Sequence, residues 1–284
     1  MRTSLQQGAT PTRWTWADAA TRTAQSVSAS DLYAVGLQTD MNLQYQLIQV
    51  SPARWAPLPD LAYGPERAYA TVTAGTPVGV GLNFATVVGT TGARTLSNTS
   101  IATRLVRTAQ TTSSSAGNAG CWASTSGTGP YLFGGGRFRM AGVLGAVSSS
   151  MRWFMGLIVT PPSTNVDVAA QVNLIGIGRS SSESNVQVYY NDASGTASQA
   201  DLGASFPAGT VNIGYELELY SVDGTGWTYG VKHLDTFAEI SGVVASNLPA
   251  TATQTRLAWY SSNNADAVAV SLDFVYAKYW QRVI

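Results

Sequence analysis

Side chains able to do chemistry are few and scattered along this chain. His233 is the one histidine in 284 residues, so any Ser-His-Asp or Cys-His arrangement must use it as the base, and no Gly-x-Ser-x-Gly elbow presents a serine to it. It sits in an alternating run beside Trp227 and Tyr229, where a histidine is ordinarily structural. Glu216 and Glu218 stand two residues apart on one strand face, near the lower end of the roughly 5 to 9.5 Å that glycoside hydrolysis requires between its two carboxylates. The same spacing is what any solvated strand face presents, and no second glutamate-rich strand accompanies it. Asp192, Asp201 and Asp223 fall in Gly-rich turns, where carboxylates accept hydrogen bonds from nearby amides. A shared calcium ion is the alternative for them, without an EF-hand or nonapeptide pattern in its favour. Gly134-Gly135-Gly136 before Arg137-Phe138-Arg139 imitates a phosphate cradle, yet the Lys-Ser/Thr pair and the following helix are missing. It reads as a glycine-rich bend leading into a strand. Arg104 and Arg107 read as partners for carboxylates across an interface, and Asn98-Thr99-Ser100 matches a glycosylation sequon.

The aromatic side chains are the larger resource, with 8 tryptophans and 13 tyrosines. Tyr189, Tyr190, Trp227, Tyr229, Trp259 and Tyr260 have three possible uses: a subunit interface, core packing, or a platform on which a pyranose ring stacks. Because alternate strand positions face opposite sides, one of Tyr189 and Tyr190, and one of Trp259 and Tyr260, is expected to point outward.

Composition removes several classes of function. Charged residues make up 11% of the chain, under half of the roughly 25% usual in soluble domains. With 16 basic against 16 acidic residues the net charge is +0, so no overall field gathers nucleic acid or anionic lipid. The lone Cys121 excludes an intrachain disulfide, and with a single histidine it excludes a Cys/His zinc site within one chain. No cofactor and no metal are expected. Residues Met1 to Thr10 are polar and no run of 18 apolar residues occurs, so neither a signal peptide nor a membrane span is expected.

The elements that must position these residues read as strands. Helical periodicity is confined to Thr15 to Ala24, too short to stand alone. Residues 31–58 read as a hairpin: a strand around Tyr33 to Gln38, a turn at Asp40-Met41-Asn42, and a return strand Gln44 to Val50 ended by Ser51-Pro52. Trp55 is placed to cover its open face. Pro57, Pro59 and Pro65 mark a boundary. Beyond it, Met151 to Val159 is apolar on nearly both faces, as a central sandwich strand would be. Tyr215 to Leu219 and Trp227 to His233 alternate as half-exposed strands, and Val268 to Tyr276 forms a final alternating stripe. Gly89 to Thr99 and Thr111 to Pro130 read as surface loops. The fold expected is all-β: an antiparallel β-sandwich, jelly-roll or lectin-like, over residues 61–284, with a small N-terminal hairpin module over residues 1–60. Residues 61–129 fit either the sandwich's first strands or a separate shoulder.

Two groups of residues carry a resemblance. Ser30-Asp31-Leu32-Tyr33-Ala34-Val35-Gly36-Leu37-Gln38-Thr39-Asp40, with Tyr45-Gln46-Leu47 and Ser51-Pro52-Ala53-Arg54-Trp55, resembles a module of about thirty residues found in tail fibres and other virion proteins of tailed bacteriophages. Trp153-Phe154-Met155-Gly156-Leu157, Ile175-Gly176-Ile177-Gly178, Asn191 to Ala197, Asp201 to Pro207, Tyr215 to Tyr220, Asn247 to Ala250 and Leu272 to Tyr276 resemble the β-sandwich of such proteins, over most of residues 130–284. The resemblance implies a fibre, spike or head-decoration protein at the virion surface, made in the host cytoplasm, with no catalytic residues.

From this follows an expected role as a non-enzymatic virion structural protein, anchored by its N-terminal module with the sandwich outward. Its expected partners are two further copies in a homotrimer, other proteins of tail or capsid, and a host-surface glycan; nucleic acid and membrane insertion are not expected. The alternatives are a capsid decoration or cement protein and, through Glu216 and Glu218 alone, a polysaccharide-degrading enzyme. Trp14, Trp16 and Trp55 are the candidate virion anchors, because indoles dominate interface hot spots; the other use open to them is closing the hairpin's own small core.

Overall fold

A computed structural model describes residues 14–32, 34–38, 43–50, 53–57, 68–73, 76–80, 84–97, 99–124, 131–221 and 224–280. At the N-terminal end, Trp-Thr-Trp is extended rather than helical: β1 (Trp14–Trp16) runs parallel to β2 (Val35–Gln38). The expected helix shrinks to α1 (Ala19–Thr23), because Asp18 Oδ1 accepts the Thr21 amide at 2.7 Å and so fixes its start. The expected hairpin is larger than read. β2 pairs with β3 (Leu43–Val50), and β3 pairs with β4 (Ala53–Pro57), completing a four-stranded sheet. Pro57 is tolerated because β4 is an edge strand. The turn at Asp40-Met41-Asn42, and Asp223, lie outside the described residues.

Two antiparallel sheets form the sandwich. The second sheet follows the order β16 (Ser198–Asp201), β15 (Gln187–Asn191), β14 (Leu174–Arg179), β13 (Arg152–Ile158), β20 (Gln254–Ser262), β10 (Ala119–Ser124), β7 (Phe84–Val88), with β11 (Tyr131–Leu132) also on β20. The third follows β19 (Glu239–Val244), β18 (Trp227–His233), β17 (Gly214–Ser221), β12 (Gly136–Ala146), β21 (Ser271–Trp280), β5 (Ala68–Thr73), β6 (Thr76–Val80). In it β9 (Thr108–Thr111) pairs with β21, and β8 (Thr90–Ala93) pairs with β9. Alternation fills the space between them: Trp153, Met155 and Trp259 from one sheet meet Phe138, Leu217 and Trp227 from the other, all fully buried. The stretch read as a loop from Thr111 to Pro130 thus contains β10, buried between β20 and β7. Apart from Trp122 its residues, Ala-Gly-Cys-Trp-Ala-Ser, are small and carry little strand signal of their own. Gly89 to Thr99 likewise contains β8.

Both sandwich sheets are also covered on parts of their outer faces, which alternation alone does not reveal. Residues 159–173, with the 3-10 turn Val168–Ala170, lie over the second sheet and make a further core with Phe154, Ile158, Leu174, Tyr189 and Tyr260. Over the third sheet, the segment holding the short helix α2 (Ile101–Arg104) packs Ala102 against Ala141, Val143 and Val275. A register shift between Ala141 and Gly142 breaks the final stripe: Leu272 and Phe274 face the interior core, while Tyr276 pairs with Glu216. α1 rests on β19, where the Ala19 amide donates to Ser241 Oγ at 3.0 Å and Arg22, almost wholly buried, forms an ion pair with Glu239.

Candidate functional site

The residues singled out for chemistry do not converge. Glu216 and Glu218 do not lie on a solvated face: Glu218 is ion-paired with Arg137, while Glu216 takes Arg139 at 2.5 Å and the Tyr276 hydroxyl. Both carboxylates are engaged by groups of their own sheet rather than open to a substrate. The arginines that the sequence places after the glycine bend are therefore their partners, and the bend itself uses left-handed backbone at Gly135 (φ 124°) and Gly136 (φ 151°). Arg107 finds its carboxylate within the chain, at Asp273, 3.0 Å away, rather than across an interface. Asp192 and Asp201 behave as turn residues, accepting the amides of Ser194 and Gly203 at 2.8 and 2.7 Å. Among the described residues no three metal-ligating side chains gather.

Of the three uses open to these aromatic side chains, packing accounts for most of them. Tyr189, Trp227, Trp259 and Tyr260 are fully buried and Tyr229 nearly so; Tyr190 is half-buried against the core. Tyr189, Trp259 and Tyr260 are closed to solvent and Tyr190 is only partly open to it, because the sheet that carries them is covered on both sides. Tyr260 accepts the Val166 amide at 2.8 Å from the covering segment, and Trp259 packs edge-on against Phe274 with centroids 4.8 Å apart. Trp16 is likewise buried within its own chain, stacked on the half-buried Trp14 at 6.1 Å and donating to Gln25 Oε1 at 3.2 Å. Trp55 pairs through its backbone with Leu47.

One cleft, of about 710 Å³, opens where three loops meet at an end of the sandwich. Its first wall, Thr99 and Ser100, leads into α2. Its second is the 204–213 segment between β16 and β17, fastened by the Tyr215 hydroxyl donating to the Pro207 carbonyl at 2.5 Å and by Asn212, left-handed at φ 61°, whose amide donates to the Leu144 carbonyl at 2.7 Å. Its third is the turn from His233 to Ala238 between β18 and β19. The walls are tied together: Asp235 Oδ1 accepts the Ala102 amide at 3.1 Å, and Ser100 Oγ donates to the Asn212 carbonyl at 3.2 Å.

His233 lies in this cleft, buried and edge-on to Tyr215 with centroids 5.3 Å apart. Its Nδ1 accepts the amides of Asp235 and Thr236 at 3.2 and 3.3 Å. A triad base instead donates from Nδ1 to a carboxylate, so this histidine has the wrong tautomer for that role. Burial lowers its pKa below the ordinary value, with Asp235 opposing the shift. The folded state thus prefers the neutral ring, and the unfolded chain binds the proton more readily. Stability is expected to be complete above pH about 6.5 and to fall as pH drops below it, with a slope approaching at most about 1.4 kcal/mol per pH unit. Urea unfolding between pH 7.5 and 5.5 checks this, and His233→Asn should flatten the dependence. Asp235 and the 204–213 wall were not apparent from sequence; the Leu-Asp-Thr step between two alternating runs is the turn signal that marks the first.

No protein-family model matches the chain, and no curated protein matches it. Solved structures similar to it include a protein of unknown function from Shewanella oneidensis MR-1, at 10% identity over 72% of this chain and 79% of that one, with a TM-score of 0.45. Peanut lectin with a nine-residue peptide is similar at 11% identity, over 75% of this chain and 94% of that one, TM-score 0.41. The β-glucanase of Bacillus licheniformis is similar at 13% identity, over 75% and 97%, TM-score 0.47. The likeness is confined to the arrangement of strands.

Proposed function

We propose that this chain is a non-enzymatic structural protein of a tailed-bacteriophage virion, a homotrimeric fibre or spike whose N-terminal unit joins it to the particle and whose sandwich faces outward. The observation that carries this reading is the four-stranded sheet of residues 14–57, a unit with its own hydrogen-bonding ladder, in the stretch that resembles a phage fibre module. The engagement of Glu216, Glu218 and His233 in ion pairs and backbone hydrogen bonds supports a role without catalysis. Few charges suit close subunit contacts, and a closed three-fold assembly limits runaway association.

Burial of Trp16 shifts the anchoring role from single indoles to the unit as a whole. A chain lacking residues 1–60 is expected to stay folded, because among the described residues the sandwich cores are built from residue 84 onward and Glu239 keeps Lys232 as a partner at 2.8 Å. It should be missing from purified particles by immunoblot. Normal incorporation of the shortened chain would remove the anchor assignment.

A further inference from the structure

We propose that the cleft between residues 99–100, 204–213 and 233–238 binds a neutral polyhydroxylated ring, such as one pyranose of a saccharide. Its volume, about 710 Å³, falls in the roughly 300 to 1,000 Å³ range of small-molecule sites. No arginine or lysine lines it, and its one acidic side chain is Asp235. A phosphate or carboxylate ligand would meet that negative charge without a cation to offset it. Among the described residues no three His, Cys, Asp or Glu side chains gather here to hold a metal ion.

Two groups ask for hydroxyl partners. Asp235 lines the cleft, and its Oδ2 is closed off from solvent without a hydrogen-bond donor, whereas Oδ1 is already used by Ala102, so a small turn of the carboxylate is what would bring Oδ2 to a ligand. An orphaned carboxylate oxygen calls for a donor. His233 supplies the complement: with Nδ1 occupied by two amides, the neutral ring carries its proton on Nε2, which donates to no partner among the described residues. A hydroxylated ring offers donors and acceptors side by side. An ammonium group would satisfy Asp235 but offers nothing to Nε2–H. Pro207, Val211 and Ile213 supply an apolar wall for the C–H face of the ring, and Ser205 and Thr236 add hydroxyls. The buried aromatics described above take no part, so this site is distinct from the platform that the sequence suggests. It does not depend on where the chain sits on a particle.

Saturation-transfer-difference NMR on the full chain tests the site. The probes are the methyl glycosides of glucose, galactose, mannose and N-acetylglucosamine at millimolar concentration, with glucuronate and glucosamine as charged comparators. Transfer to at least one neutral glycoside is expected, weakened by about tenfold or more in Asp235→Asn. Val211→Trp changes an exposed rim residue (46%) and should block the cleft with melting unchanged. Absence of transfer to every neutral glycoside, transfer only to the charged comparators, or undiminished transfer in Val211→Trp would each overturn the proposal. Presence of the chain on particles is measured separately, so failure of this site and failure of the virion role are told apart.

Discussion

Asp273→Ala should lower the unfolding free energy of the chain by about 3 to 5 kcal/mol, the cost of leaving a buried charge without its partner. Asp273 is fully buried on the outer face of β21. Its Oδ2 receives Nε of both Arg94 and Arg107, at 2.9 and 3.0 Å, and its Oδ1 takes the Ser271 hydroxyl at 2.9 Å. The side chain of Arg107 is 4% exposed and cannot turn to water, whereas that of Arg94, at 28%, can do so in part. Gly145 is part of the same arrangement, since a Cβ there would lie 2.3 Å from Asp273 Oδ2. Removing both ends of the buried pair, as in Asp273→Leu with Arg107→Met, should recover most of the loss, because apolar groups of similar volume replace buried ion pairs at little cost. Urea unfolding measures both. A loss below about 1 kcal/mol for Asp273→Ala would show that water reaches the guanidinium groups and that the strap over this face is not closed.

The second large effect is expected at Gly156. Propensity alone favours valine over glycine in a strand, by up to about 1 kcal/mol. Packing decides the opposite sign. Gly156 pairs with Gly176 across β13 and β14, and a Cβ on Gly156 would lie 2.4 Å from the Ile175 carbonyl oxygen and 2.8 Å from Phe154 Cζ. The two glycines leave the space in which the Phe154 ring lies, within the outer core. Gly156→Val is expected to destabilise by about 3 kcal/mol or more, beyond the usual overpacking cost because a backbone atom, not a flexible side chain, stands in the way. Chemical denaturation showing a neutral or stabilising change would mean that the ring does not occupy that space.

These positions also show what the sequence made legible. The apolar run Met151 to Val159 reads as a central strand, and β13 lies between β14 and β20. Alternation likewise reveals β17, β18 and the all-β sandwich. Alternation fails where a sheet is covered twice: Tyr189 with Tyr190, Trp259 with Tyr260, and Glu216 with Glu218 all read as half-exposed because nothing local announces the segments that cover them. Residues 159–173 and 99–107 are short and rich in turns, yet they close the outer faces through small apolar side chains and contacts such as Val166 to Tyr260 and Arg107 to Asp273. The cleft was illegible for a related reason. Its walls come from three segments more than a hundred residues apart at the extremes, and only the pairing of β12, β17 and β18 brings Ser100, Asn212 and His233 to one end of the sandwich.

The measurement that bears most directly on the proposed role is immunogold electron microscopy of purified particles, from a phage whose genome encodes this chain, with antibody raised against the sandwich of residues 131–280. Gold on fibres or spikes of intact particles, with the full-length chain recovered from them, is the expected result. Label confined to the capsid shell would instead assign the chain to head decoration. Particles that carry neither label nor chain, in lysates where the protein is abundant, would contradict a structural role in the virion.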